Sequence, residues 1–164
     1  VNEVTNILFK KYDLNSLKEA KPEDIINIIK PLGTFNKKAN NIKIIANLLI
    51  EKSNGKVPND RDFLESLPGV GRKTTNVVLS ELFNEPYMAV DTHVSRVSKR
   101  LGIAYQNDDV FDIEKKLMKK IPKEKIHSMH HRMVLFGRYY CKAKNPLCDD
   151  CKLKNICKYK KNFI

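Results

Sequence analysis

No stretch of this 164-residue chain approaches the roughly 20 consecutive apolar residues of a membrane span. No apolar run follows a basic start as in a secretory signal. Neither membrane insertion nor secretion is supported, and the expected location is the cytoplasm. Strand signals are almost absent, since few segments alternate apolar and polar residues. Acidic residues are in deficit: 19 Asp and Glu face 31 Lys and Arg, a formal net charge of +12. Such a balance suits a polyanionic partner. Cysteine is absent outside one short window that holds Cys141, Cys148, Cys151 and Cys157.

What is present suits a folded domain. Hydrophobic residues make up 41% and charged residues 30%, enough apolar material for a packed core. Helical periodicity predicts a helix over Asn2 to Tyr12, and a second opened by Pro22 with Glu23 and Asp24 in its first turn. A third is predicted from Lys37 to Lys52, stopped by Gly55. Asp60 caps a short helix to Leu67, and another runs from Gly71 to Phe83. Val94, Val97, Ser98 and Leu101 share a face closed by Gly102. Asp108 is placed as the cap of the next helix, which Pro122 ends. Ile126, Met129, Met133, Phe136 and Tyr140 stripe one last long helix. The expected fold class is all-α, divided into a helical domain over 1–122 and a C-terminal helix and cysteine loop over 123–164.

Between two of these helices lies Leu67-Pro68-Gly69-Val70-Gly71, followed by Arg72 and Lys73. Two glycines permit a tight turn and a close backbone approach. The turn leaves the first amides of the second helix unpaired, and with the positive end of the helix dipole they suit a phosphate oxygen. Gly69, Val70, Gly71 and Arg72 are therefore candidate contacts to a phosphate backbone that read no base sequence. Val70 is expected to anchor the turn in the core. Gly33-Thr34-Phe35-Asn36-Lys37 has the same glycine-to-lysine spacing without the second glycine, a coincidence or a degenerate repeat.

The C-x6-C-x2-C-x5-C spacing leaves three possibilities open. Disulfides need an oxidising compartment, which nothing indicates. Zinc commonly uses two C-x2-C knuckles, and one is present. Four thiolates in an irregular loop also suit an iron–sulfur cluster. Eleven Lys or Arg against three Asp or Glu lie from Lys123 onward, and Lys142 and Lys144, between the first two cysteines, are candidate phosphate contacts.

The hairpin with its following Arg72-Lys73-Thr74-Thr75-Asn76-Val77-Val78, then Ala89-Val90-Asp91-Thr92-His93-Val94, then Gly137-Arg138-Tyr139-Tyr140-Cys141 and the cysteine spacing, resemble the endonuclease III family of helix-hairpin-helix DNA glycosylase/AP lyases. The match runs through essentially the whole chain in the family's order. The resemblance implies a helical-barrel domain containing the helix-hairpin-helix (61–80) and a small 4Fe-4S cluster domain. It implies a cluster on Cys141, Cys148, Cys151 and Cys157. It implies a monomeric bacterial enzyme that works at the nucleoid, acting on oxidised pyrimidines and abasic sites in double-stranded DNA. It places the family's catalytic lysine on Lys73 and catalytic aspartate on Asp91.

Lys73 would form a Schiff base and Asp91 would stabilise the sugar cation. A lysine at this position argues for a bifunctional enzyme, since the adenine-removing relatives lack one. His93 is read as structural beside the site. His127, His130 and His131 share one helix, and the cysteines already supply a ligand set, so they are given no metal.

Two departures from the family, Arg132 for Trp and Phe136 for His, lie away from the chemistry. A larger one is the start at Val1. The family's preceding helices, with a segment resembling L-S-A-Q that fills the gap left by the flipped base, have no counterpart here. The expectation is a fragment of a longer protein, loosely packed and weak in base release on its own. The rival readings are a non-catalytic, cluster-stapled DNA-binding module and a zinc-stapled basic protein that binds nucleic acid by charge.

Overall fold

The computed structural model describes residues 1–159, and among these every regular element is helical. The expected all-α class holds. No described helix is long and apolar enough to cross a membrane. The chain divides into two compact units, the first Val1–Gly71 and the second beginning at Arg72.

The first unit holds α1 (Asn2–Lys11), α2 (Leu14–Glu19), α3 (Pro22–Ile29), α4 (Phe35–Ser53) and α5 (Arg61–Ser66). Pro22 sits in the first turn of α3 with Glu23 and Asp24 beside it, where a missing amide costs nothing and negative charge meets the dipole. Ile25 and Ile29, four apart, are buried on its inner face. With Leu8, Leu17, Ala39 and Ala46 they form the unit's core. α4 packs on α2 and α3, and α1 on α3. α4 ends at Asn54, which is left-handed at φ 50° and precedes left-handed Gly55 at φ 73°. The short α2 escapes the periodicity argument. It is set by a capping box in which Asp13 accepts from the Ser16 amide and the Ser16 hydroxyl accepts from the Asp13 amide.

The second unit holds α6 (Arg72–Phe83), α7 (Thr92–Leu101), α8 (Val110–Lys120), a 3-10 turn (Lys123–Lys125), α9 (Ile126–Leu135) and a π-helical turn (Phe136–Tyr140). Its core gathers Met88, Val90, Val94, Val97, Ile113, Leu117, Ile126 and Met133. Each such side chain contributes roughly 1.5–3 kcal/mol by leaving water. α7 stops at Gly102, which is left-handed at φ 76°.

Two expectations are corrected here. Asp109, not Asp108, caps α8 by accepting from the Asp112 amide. Asp108 instead accepts from the Tyr105 amide and pairs with Lys116, because the preceding turn claims its carboxylate first. The last helix is not continuous α-helix. Its final five residues widen into a π turn, in which the Cys141 amide donates to the Phe136 carbonyl at 2.7 Å.

Candidate active site and cysteine pocket

The hairpin begins where α5 ends. Asp60 caps α5 by accepting from the Phe63 amide at 3.0 Å, and the Val70 amide donates back to Leu67 at 3.1 Å. Leu67 is the residue that anchors the turn, buried to 5% exposure, whereas Val70 is half-buried. Gly69 is left-handed at φ 79°, and a Cβ there would stand 2.4 Å from the Asn41 side chain. A Cβ on Gly71 would meet nothing within 4 Å. The protein itself does not demand the second glycine, and the open space admits a ligand backbone.

α6 then begins at Arg72, with Lys73 exposed in its first turn. The Arg72 guanidinium forks onto Glu114 with two 2.8 Å hydrogen bonds and lies 4.6 Å from the Phe111 ring centroid. The Glu114 side chain is 3% exposed. A bidentate pair of this kind is strong and directional. It fixes the start of α6 against α8 and commits the Arg72 head group within the protein. Arg72 thus bears on Lys73 by holding the helix that carries it.

Asp91 is the N-cap of α7, its Oδ1 accepting from the Val94 amide at 2.8 Å. The cap leaves the carboxyl half-buried at a fixed orientation. The preceding Met88-Ala89-Val90 is buried, as its composition suggests. A fully buried Asn76 on α6 donates through Nδ2 to the Met88 carbonyl at 3.1 Å. One side-chain amide thereby ties the helix of Lys73 to the run that delivers Asp91. On α9, burial holds the His130 imidazole below its ordinary range, and the neighbouring His131 adds to this. The charges of Asp91 and Glu81 and a backbone hydrogen bond at Ala89 act the other way.

The four cysteines are all free thiols, each half-buried, and line one pocket with Arg100, Leu101, Phe136 and Tyr140. Disulfides are thus absent among the described residues. Four free thiols around one pocket are a soft donor set that suits a metal or a metal cluster. Among the described residues a second set of ligand atoms comes together at Glu81, His127 and His131.

Two arginines of α7 organise this pocket. Arg96 donates to the Cys141 carbonyl at 3.0 Å and the Gly137 carbonyl at 2.6 Å. The nearly buried Arg100 reaches the Cys141 sulfur at 3.3 Å and the carbonyls of Lys142 at 2.8 Å and Ala143 at 3.2 Å. It also stacks 4.2 Å from the Tyr159 ring centroid. The backbone of Lys142 is thus pinned, while the Lys142 and Lys144 side chains stay exposed. A Cβ on Gly137 would stand 2.9 Å from His93 Cβ. His93 therefore packs against the turn that precedes the first cysteine, in keeping with a structural role.

Sequence reasoning missed Asn76, Arg96, Arg100 and Glu81. The spacing of Arg96 and Arg100 carries a usable signal: two arginines one turn apart, beside the apolar face of Val94, Val97 and Leu101, can reach a common polar target. Asn76 lies on the buried face of α6 beside Thr75, Leu79 and Ser80 and left no comparable signal. Glu81 had no signal, because its partners lie more than forty residues away.

A family model described as HhH-GPD superfamily base excision DNA repair protein matches residues 1–123. Endonuclease III of Bacillus subtilis is 50% identical over 159 residues, covering 96% of this chain and 73% of that protein. The chain belongs to the endonuclease III family. It is accordingly a base excision repair enzyme, a DNA glycosylase and AP lyase. Among solved structures, a non-covalent endonuclease III–DNA complex matches with a TM-score of 0.95 and 49% identity, over 99% of this chain and 76% of the other. A trapped endonuclease III–DNA covalent intermediate matches with a TM-score of 0.94 at the same identity, over 99% and 78%. The helix-hairpin-helix glycosylase fold expected from the resemblance is the fold observed.

Proposed function

We propose that the chain removes oxidised pyrimidines from duplex DNA and cleaves the resulting abasic site by β-elimination, acting as a monomer. The lysine of the reaction is Lys73 and the carboxylate is Asp91. Neutral Lys73 Nζ attacks C1′ of the damaged nucleoside, and the glycosidic bond breaks with its electron pair leaving on the base. Asp91 faces the positive charge that develops on the sugar and takes up the proton shed by the amine. The sugar ring then opens: the C1′–O4′ bond breaks, O4′ takes a proton, and the nitrogen lone pair completes the Schiff base, which acidifies C2′–H; loss of that proton expels the 3′ phosphate, and water then frees Lys73. The damaged base leaves the stack to reach these groups, which costs less for a damaged pair than for an intact one.

The observation that carries this reading is the Asn76–Met88 hydrogen bond, which joins the helix of Lys73 to the run ending in Asp91 within one unit. A structural relative captured as a covalent intermediate with DNA supports a covalent route. Gly69, Val70 and Gly71 would contact phosphate through backbone amides, and Lys142 and Lys144 through their ammonium groups. Arg72 would contribute its amide, its guanidinium being held by Glu114. Cys141, Cys148, Cys151 and Cys157 would hold a 4Fe-4S cluster. When bound, the cluster supplies a covalent staple for a loop with little core of its own. In this reading residues 1–122 handle the lesion and 123–164 form the cluster domain; residues 160–164 lie outside the described part.

The test is a duplex carrying one thymine glycol. Free base and a nicked strand with a 3′ unsaturated aldehyde are expected. Base release from a strand that stays intact would remove the lyase half of the proposal. Nicking with no base release at any excess of protein over duplex would remove the glycosylase half.

A further inference from the structure

A second cluster of ligand atoms shares no residue with the candidate catalytic pair or with the cysteines. His127 and His131 are four residues apart on α9, so their rings project from one face. Both present Nε2 to the same oxygen of Glu81, near the C-terminal end of α6: His127 Nε2 stands 3.2 Å and His131 Nε2 2.9 Å from Glu81 Oε1. One ligand atom from each of the three side chains lies within 4.8 Å of the others. The two imidazole rings meet edge to face with centroids 4.7 Å apart. All three side chains are open to solvent, at 48%, 50% and 40% exposure.

A tetrahedral ion bound at about 2.0–2.1 Å places neighbouring ligand atoms about 3.3 Å apart. The two nitrogen–oxygen separations in the protein, 2.9 and 3.2 Å, are already close to that edge. We propose that Glu81, His127 and His131 bind a divalent zinc-type ion, through one carboxylate oxygen and two Nε2 atoms, with the remaining position open to water. Two imidazoles and a carboxylate form a borderline nitrogen–oxygen set, which zinc and its late first-row neighbours prefer to calcium or magnesium. Both histidines coordinate as the neutral Nδ1–H tautomer, and any proton held at Nε2 passes to solvent. The ion bridges α6 to α9, so it stabilises the second unit and takes no part in the chemistry at Lys73.

The test uses the full chain purified anaerobically with its cysteines loaded, so that thiols do not compete. Zinc ions alone are titrated against a chromophoric chelator. One further equivalent is expected to bind. Saturating zinc is expected to raise the unfolding midpoint by about 5–10 °C at a hundredfold excess over Kd. His127→Ala, His131→Ala and Glu81→Gln should each weaken binding at least tenfold while leaving the visible absorbance of the cysteine-bound group unchanged. No saturable binding, or binding that survives the double variant His127→Ala, His131→Ala, overturns the proposal. Should a variant fail to fold, the wild type decides the matter. Copper(II) at one equivalent should show electron paramagnetic resonance coupling to two imidazole nitrogens, and a spectrum without such coupling overturns it.

Discussion

Asn76 carries more of the site than its place in the sequence suggests. Its amide is fully buried, and its hydrogen bond satisfies the Met88 carbonyl in a segment with no ladder or helix to do so. Replacing it by Leu leaves that carbonyl without a partner in the core, which costs about 1–3 kcal/mol. Chemical denaturation of Asn76→Leu should show a lower midpoint at unchanged slope, together with a fall in turnover as the Asp91 run loosens. Asp108 tests a different effect. The hydrogen bond from Lys116 holds its carboxyl below the ordinary range against the opposing pull of burial, helped by the Tyr105 amide and the charges of Lys116 and Lys99. A carboxyl lowered on folding stabilises the fold above its unfolded value of about 3.9 and loses that contribution as pH falls through its folded value. The stability gap between wild type and Asp108→Asn, followed by thermal melting, should be widest above pH about 4 and shrink as the pH falls further.

Helices were legible where an amphipathic stripe coincided with a terminal signal. α3 announces itself by Pro22, Glu23 and Asp24 ahead of buried Ile25 and Ile29, and α7 by Asp91 before its apolar face and Gly102 after it. α2 was not legible, because six residues are too few for a 3.6-residue period to declare itself, and only its capping box betrays it. The π turn at Phe136–Tyr140 was hidden for another reason. The apolar spacing Met133, Phe136, Tyr140 is the same as in an α-helix, and the wider turn shows only in the Cys141 amide bonding the Phe136 carbonyl, where Gly137 leaves room for His93 and Val97. π turns are concentrated at functional sites, and here one delivers the first cysteine. Beyond it, Arg100 holds the backbone at Lys142 and Ala143, so the Lys142 head group starts from a held carbonyl and Lys144 follows two residues on. Lys142→Ala with Lys144→Ala should weaken duplex binding and reduce the slope of log affinity against log salt by up to ~2. An unchanged slope would return both side chains to the solvated surface.

For the whole molecule, motif order in the sequence disclosed more than composition did. Net charge alone pointed to a polyanion; the hairpin, Asp91 and the cysteine spacing together pointed to one family. What stayed hidden were the polar bridges between distant segments: Arg72 to Glu114, Arg100 to the cysteine loop, and Glu81 to His127 and His131. Each depends on tertiary approach and leaves no local period. The cluster proposed for the four free thiols has a compositional consequence. Anaerobically purified protein should be brown and contain about four irons and four acid-labile sulfides per chain. One zinc at the cysteines with no sulfide, in protein made with ample iron, would contradict the cluster.

The central claim is that Lys73 becomes covalently joined to the sugar, and borohydride trapping addresses it most directly. An abasic-site duplex is incubated with the protein and reduced in place, so that any imine becomes a stable amine. The account predicts a cross-linked band for the wild type, with the adduct mapped to Lys73 by peptide mass, and its loss in Lys73→Ala. Asp91→Asn should still bind the duplex while losing most turnover. If Lys73→Ala traps and nicks as well as the wild type, the nucleophile lies elsewhere and the account of this site is wrong.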